Sequence, residues 1–289
     1  MLVIAGTYFS VCKLRPTGPM YSWERMNMVY LVICVVALFV SALTLFSGFG
    51  LGTLLMPAFS IFFPVEVAVA ITAIVHLANN IFKLALVGRK ADIGIVLKFA
   101  LPASIMAIAG AFLLNYCASI HSIAEYTLGS RIFSVTVVKL AMAFIIAGFS
   151  VLELNPRFGK LSFDTKYLPM GGALSGFFGG LSGHQGALRS AFLMRTGLEK
   201  DKFIGTSIVS AVVVDVSRLA VYGITFFSHN FAVLKNQVGI GLVIAATLTA
   251  FLGSFIGSRL IRKITMSTIQ VIVGVLLFIL AIALGVGLV

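Results

Sequence analysis

The chain has 289 residues, of which 60% are hydrophobic and only 10% charged, and its mean hydropathy is +1.11. A soluble protein of this composition would need an implausibly large core, so the sequence indicates a polytopic helical membrane protein. A closed β-barrel is excluded because the apolar runs are continuous rather than alternating. The net charge of +12 sits between the apolar runs rather than in one basic patch, which argues for lipid-facing topology signals and against nucleic acid. Cys12, Cys34 and Cys117 show no CxxC or metal-ligand spacing, so neither a metal nor a cofactor is expected.

Residues 1–27 read as an interfacial or poorly ordered lead-in carrying Lys13, Arg15, Pro16, Pro19 and Arg25. The apolar start, Leu2 to Val11, is too short to span and lacks a basic signal-peptide region. Met20, Met26 and Met28 leave the native start open. Apolar runs at 28–46, 65–87, 93–114, 132–153, 203–227, 238–258 and 268–288 predict membrane helices of roughly the 20 residues a bilayer core requires. Two further stretches, 53–63 and 168–194, are apolar but interrupted. The second carries Gly171, Gly172, Gly176, Gly179, Gly180 and Gly183, a density that makes sense where the chain breaks or another backbone comes close. Gly171–Gly172 and Gly179–Gly180 are candidate hinges.

The halves resemble each other over about 100 residues. Gly52 aligns with Gly186, Leu54 with Leu188, Thr72 with Thr206 and Ile74 with Ile208; after one inserted residue Asn80 aligns with Asp215, Lys83 with Arg218 and Leu84 with Leu219. The predicted organisation is a first membrane repeat (28–153), a cytoplasmic linker (154–167) and a second repeat (168–289). Basic loops near 88–92, 154–167, 195–202 and 259–265 should be cytoplasmic. For both ends of 168–194 to lie on that side, the stretch must enter and return as a hairpin. The first copy then approaches from the other face, an inverted repeat of an all-α protein with glycine-broken or re-entrant helices.

Paired broken segments in the membrane are the best sequence pointer to a transporter's substrate site. Here they are Ser47-Gly48-Phe49-Gly50-Leu51-Gly52 and Ser182-Gly183-His184-Gln185-Gly186-Ala187-Leu188-Arg189. Gly48, Gly50, Gly52, Gly183 and Gly186 free backbone N–H groups for an anion at a half-helix N-terminus. Ser182, His184 and Gln185 add side-chain donors, and Arg189 offers a forked contact to a sulfonate or carboxylate. Close helix packing is the alternative for the glycines, and a pH-sensitive gate the alternative for His184.

In the helix 65–87, Thr72, His76, Asn79 or Asn80, and Lys83 recur on one face, opposite Ile71, Ile74, Ile81 and Leu84. That stripe faces a cavity or hydrogen-bonds a neighbouring helix, with Lys83 either in the site or snorkelling to the interface. In the helix 203–227, Asp215 at i−3 can pair with Arg218, either as a structural ion pair or as a counter-charge for an anion-binding arginine. Asp215 also reads as the only acidic residue deep in any span, which makes it the proton-coupling candidate.

The two-half organisation, Gly48-Phe49-Gly50-Leu51-Gly52 followed by Pro57, and Leu174-Ser175-Gly176 running on to Gly186 resemble the TauE/SafE family over about residues 28–288. Gly183-His184-Gln185-Gly186, with no proline at Ala191, departs from the family's usual glycine cluster and proline. The resemblance implies secondary transport of sulfite, an organosulfonate or a related small organic anion, driven by an ion gradient in the bacterial inner membrane. An anion channel is the alternative, and a homo-oligomer stays open. A membrane enzyme ranks last: His76, His121, His184 and His229 lie on different segments, and Glu24, Glu66, Glu125, Glu153 and Asp215 offer no catalytic dyad.

Overall fold

The computed structural model describes residues 23–47, 51–87, 90–129, 131–155, 162–224, 239–260 and 266–288. Among them are ten α-helices: α1 (Trp23–Ser47), α2 (Leu51–Ser60), α3 (Val65–Val87), α4 (Ile93–Ala118), α5 (Val137–Leu154), α6 (Leu168–Ser182), α7 (Gly186–Leu193), α8 (Lys200–Tyr222), α9 (Gly239–Leu260) and α10 (Met266–Gly285). Five of these, α3, α4, α5, α8 and α9, are long and apolar enough to cross a membrane. The lead-in before Trp23, together with Cys12, Gly48, Gly50 and His229, lies outside the described residues.

Two predicted boundaries change. Residues 132–135 read as the start of a span, but β2 (Arg131–Val135) pairs antiparallel with β1 (Ala124–Leu128). Ile132, Phe133 and Val135 suit a strand, and Thr136 then starts α5 by accepting a hydrogen bond from the Lys139 N–H at 3.2 Å. The α1 helix also begins inside the region expected to be lead-in, at Trp23.

Helix partners repeat between the halves. The α4 helix packs on α6 as α1 packs on α9, and α3 crosses α8 while α5 lies along α10. Exchanging α1 with α6, α3 with α8, α4 with α9 and α5 with α10 maps this set of partners onto itself. Direction follows from which residues meet. Gly172, Gly176 and Gly180 lie against the Phe99, Ala103 and Ala107 carbonyls in the same order, so α4 and α6 run parallel. Gly253 and Gly257 lie against Leu38 and Ala42, so α1 and α9 do too. By contrast α3 and α8 run antiparallel, since His76 meets Asp215 whereas Asp92, just beyond α3, meets Thr206.

The glycines of α6 thus act as packing surface. A Cβ at 172, 176 or 180 would run into the α4 backbone, the small-residue contact by which membrane helices gain dispersion energy. Gly172 and Gly180 are therefore clamped against α4, which does not suit the hinge role expected of them. The break itself sits at Gly183, with φ +82°, whose N–H donates to the Gly179 carbonyl at 3.0 Å.

Beyond that break the chain returns. Phe192, at the end of α7, packs against Gly171 near the start of α6 and stacks on Phe163 with ring centroids 4.2 Å apart. Ala191 accepts from the Phe163 N–H, and Ser175 Oγ donates to the Gln185 carbonyl at 2.8 Å. So α6 and α7 form a hairpin whose tip, Gly183–Gln185, lies inside the molecule.

Candidate functional site

The hairpin tip meets the start of α2. Gly52 opens onto the Gly183 carbonyl and the His76 ring: a Cβ there would stand 3.2 Å from the oxygen and 3.8 Å from His76 Cδ2. All of α2 is buried, so its N-terminal end points into protein at this junction.

Asp215 of α8 organises the cluster. Its Oδ1 accepts from Arg218 Nη2 at 2.7 Å, Arg218 Nε at 3.1 Å and Gln185 Nε2 at 2.9 Å. Its Oδ2 accepts from His76 Nδ1 at 2.6 Å and Asn80 Nδ2 at 3.2 Å. Both Asp215 and Arg218 are 0% exposed. An ionised pair at such depth survives only when hydrogen bonds satisfy the remaining donors and lone pairs, and Arg218 Nη1 accordingly donates to the Gly179 carbonyl at 3.0 Å. Tyr222, one turn beyond Arg218, donates to the Gly180 carbonyl.

Gln185 links this pair to a second cation. Its Oε1 accepts from Arg189 Nη1 at 3.0 Å while its amide donates to Asp215, so the two bonds fix the amide orientation. Arg189 Nε donates to Ser207 Oγ at 2.9 Å. Lys83, two turns after His76 on α3, is 5% exposed. It is buried rather than snorkelled.

The sequence-derived candidates therefore divide. Gly52, His76, Asn80, Gly183, Gln185, Arg189, Asp215 and Arg218 come together at the junction of the two breaks. Of the two asparagines it is Asn80 that reaches Asp215; Asn79 accepts from Ser254, which also bonds Ser41, tying α3, α9 and α1 together. Gly186 is buried as the first residue of α7. Ser182 Oγ turns back to the Phe178 carbonyl. His184 lies against the Ser182 carbonyl and stacks on Phe149 of α5, its Nε2 buried without a partner. The stripe on α3 is as expected on its polar side, but Ile71, placed on the opposite face, is fully buried.

Two residues escaped the sequence reading. Ser207 has no mark beyond lying next to the repeated threonine Thr206. Glu153, at the end of a predicted span, is buried, so Asp215 is not the only buried acid among the described residues.

The family model for sulfite exporter TauE/SafE matches residues 33–284. The chain belongs to this family. Neither a curated protein nor a solved structure matches it. As a TauE/SafE member it is an integral multi-pass membrane protein of a transporter family for sulfur oxyanions. In this TauE/SafE chain both glycine breaks and the paired Asp215 and Arg218 fall within the matched residues.

Proposed function

We propose that this chain is a secondary transporter of a small anion, sulfite or an organosulfonate, working by alternating access of two inverted repeats and coupled to a proton gradient. The carrying observation is the charge at the junction of the breaks. Arg189 and Arg218 stand against the single carboxylate of Asp215, all three buried, and Lys83 is buried on the same side of α3 as His76 and Asn80. Two arginines against one carboxylate leave the cluster net positive, which favours a ligand of opposite sign. Buried cations are costly in a membrane, and a mobile anion offsets that cost where a fixed carboxylate would block turnover. The α2 and α7 N-termini add positive dipole ends at the same junction. The inverted relation is supported by the antiparallel course of α3 and α8, which the sequence repeat makes equivalent.

The test is uptake of labelled sulfite and taurine into proteoliposomes, with and without an imposed pH gradient, for wild type and Arg189→Ala. Gradient-driven flux that falls at least about tenfold in the variant is the expected result, a loss of roughly 1.4 kcal/mol or more of substrate stabilisation. Equal flux in the variant would remove Arg189 from the site. Flux in wild type that never exceeds the electrochemical equilibrium of the anion would indicate a channel.

A further inference from the structure

Proton coupling needs a group that can take up and release a proton within the cycle. Asp215 is poorly placed for this, because both its oxygens are filled by five N–H donors and its charge holds Arg218. Protonating it would strand a buried arginine.

Glu153 of α5 is different in each respect. It is 3% exposed, and its Oε2 is buried with no hydrogen-bond partner. The α10 helix, which packs along α5, carries no titratable residue from Met266 to Gly285. Among the described residues, the other elements against α5 contribute Glu66, His76 and Lys83 on α3, Lys98, Tyr116 and Cys117 on α4, and His184 at the hairpin tip, and none of them hydrogen-bonds Glu153 Oε2. On α5 itself the one cation, Lys139, is held by the Ser134 and Gly287 carbonyls at the far end.

The α10 helix covers the carboxyl end of α5. Its neighbour Leu154 packs against Gly274, and Ser150 donates to the Gly274 carbonyl at 2.8 Å. Gly274 lies about 12 Å along α10 from its first turn. One turn of α5 before Glu153, about 6 Å away, Phe149 stacks on His184 at the hairpin tip with centroids 5.3 Å apart. Glu153 thus shares a helix face with Phe149, which touches the hairpin tip.

We propose that Glu153 is the proton-carrying carboxyl of the transport cycle. It takes one proton from water on one side, holds it as O–H while α5 and α10 close over it, and returns it to water on the other side. Movement of the hairpin reaches it through the contact of Phe149 with His184. This rests on the transport reading above and adds the group that couples it.

The experiment uses proteoliposomes and whichever of labelled sulfite or sulfoacetate the wild type accumulates. Glu153→Gln, a permanent mimic of the protonated acid, should keep anion exchange across the membrane at equal pH. It should lose gradient-driven accumulation at least tenfold, along with the pH dependence of net flux. Dicyclohexylcarbodiimide, which attacks protonated buried carboxyls, should modify Glu153 of the wild type and spare Asp215, as read by peptide mass spectrometry. That second measurement needs no variant to fold. Gradient-driven accumulation in Glu153→Gln equal to wild type, or labelling of Asp215 with Glu153 untouched, would overturn the proposal. A wild type that moves neither anion would overturn the transport reading, and the proposal with it.

Discussion

Replacing Asp215 by Asn keeps the shape of the side chain and removes its charge, so it isolates what the carboxylate does. Five donors point at the two oxygens, three at Oδ1 and two at Oδ2. An amide can present an acceptor to only one of these sets. The cheaper orientation keeps its oxygen toward Arg218 and Gln185 and turns NH2 toward His76 and Asn80. His76 can switch tautomer to accept, but Asn80 is left opposing a donor. Arg218, fully buried, then has no counter-charge, and breaking one side of such a pair costs about 3–5 kcal/mol. Replacing both residues, as in Asp215→Asn with Arg218→Met, removes the stranded charge and should cost clearly less than the sum of the single changes. The assay is thermal unfolding of purified protein in detergent, read by tryptophan-free reporters such as thiol exposure or by loss of the monodisperse peak. A fall of the order of 10 °C is expected for the single variant. An apparent Tm within about 2 °C of wild type would refute the idea that Asp215 compensates Arg218.

Two further contrasts follow from the structure. A Cβ at Gly176 meets the Ala103 backbone, whereas one at Gly148 of α5 meets nothing within 4 Å. Gly176→Ala should therefore cost more than the about 1–3 kcal/mol of ordinary overpacking and abolish the monodisperse species, while Gly148→Ala should be neutral or gain up to about 1 kcal/mol; equal behaviour of the two would discount the α4–α6 contact. At the protein surface, Asp201 lies 2.8 Å from Lys90 and holds its ammonium above the ordinary 10.5. A raised lysine favours the folded state below 10.5 and loses that benefit as pH rises through the folded value, so the tie is intact at neutral pH. Asp201→Asn should lower the Lys90 pKa in an NMR titration of dimethylated lysines, with little change in stability because the pair is exposed.

The membrane class was legible from composition, and nearly every helix from runs of about 20 apolar residues, since lipid forces backbone hydrogen bonds to close within the segment. The break at Gly183 and the pairing of Asp215 with Arg218 were readable because local spacing sets both. Strand β2 was missed because Ile132, Phe133 and Val135 are as apolar as a span, and hydropathy does not separate a strand from a helix start.

Depth and partnership were a different matter. Helical spacing put His76, Asn80 and Lys83 on one side of α3, but only the antiparallel crossing of α3 and α8 brings His76 and Asn80 onto the Asp215 carboxylate. Glu153 ends its own helix, and its burial is decided by α10, whose Gly274 packs against the neighbouring Leu154. The glycines of α6 could have been hinges or packing surface until the carbonyls of α4 were found against them. Sequence fixes which residues share a segment and a face, because those follow from the bond geometry of one helix. Which face meets which, and at what depth, depends on contacts between segments far apart in the chain, and only the folded structure brings those together.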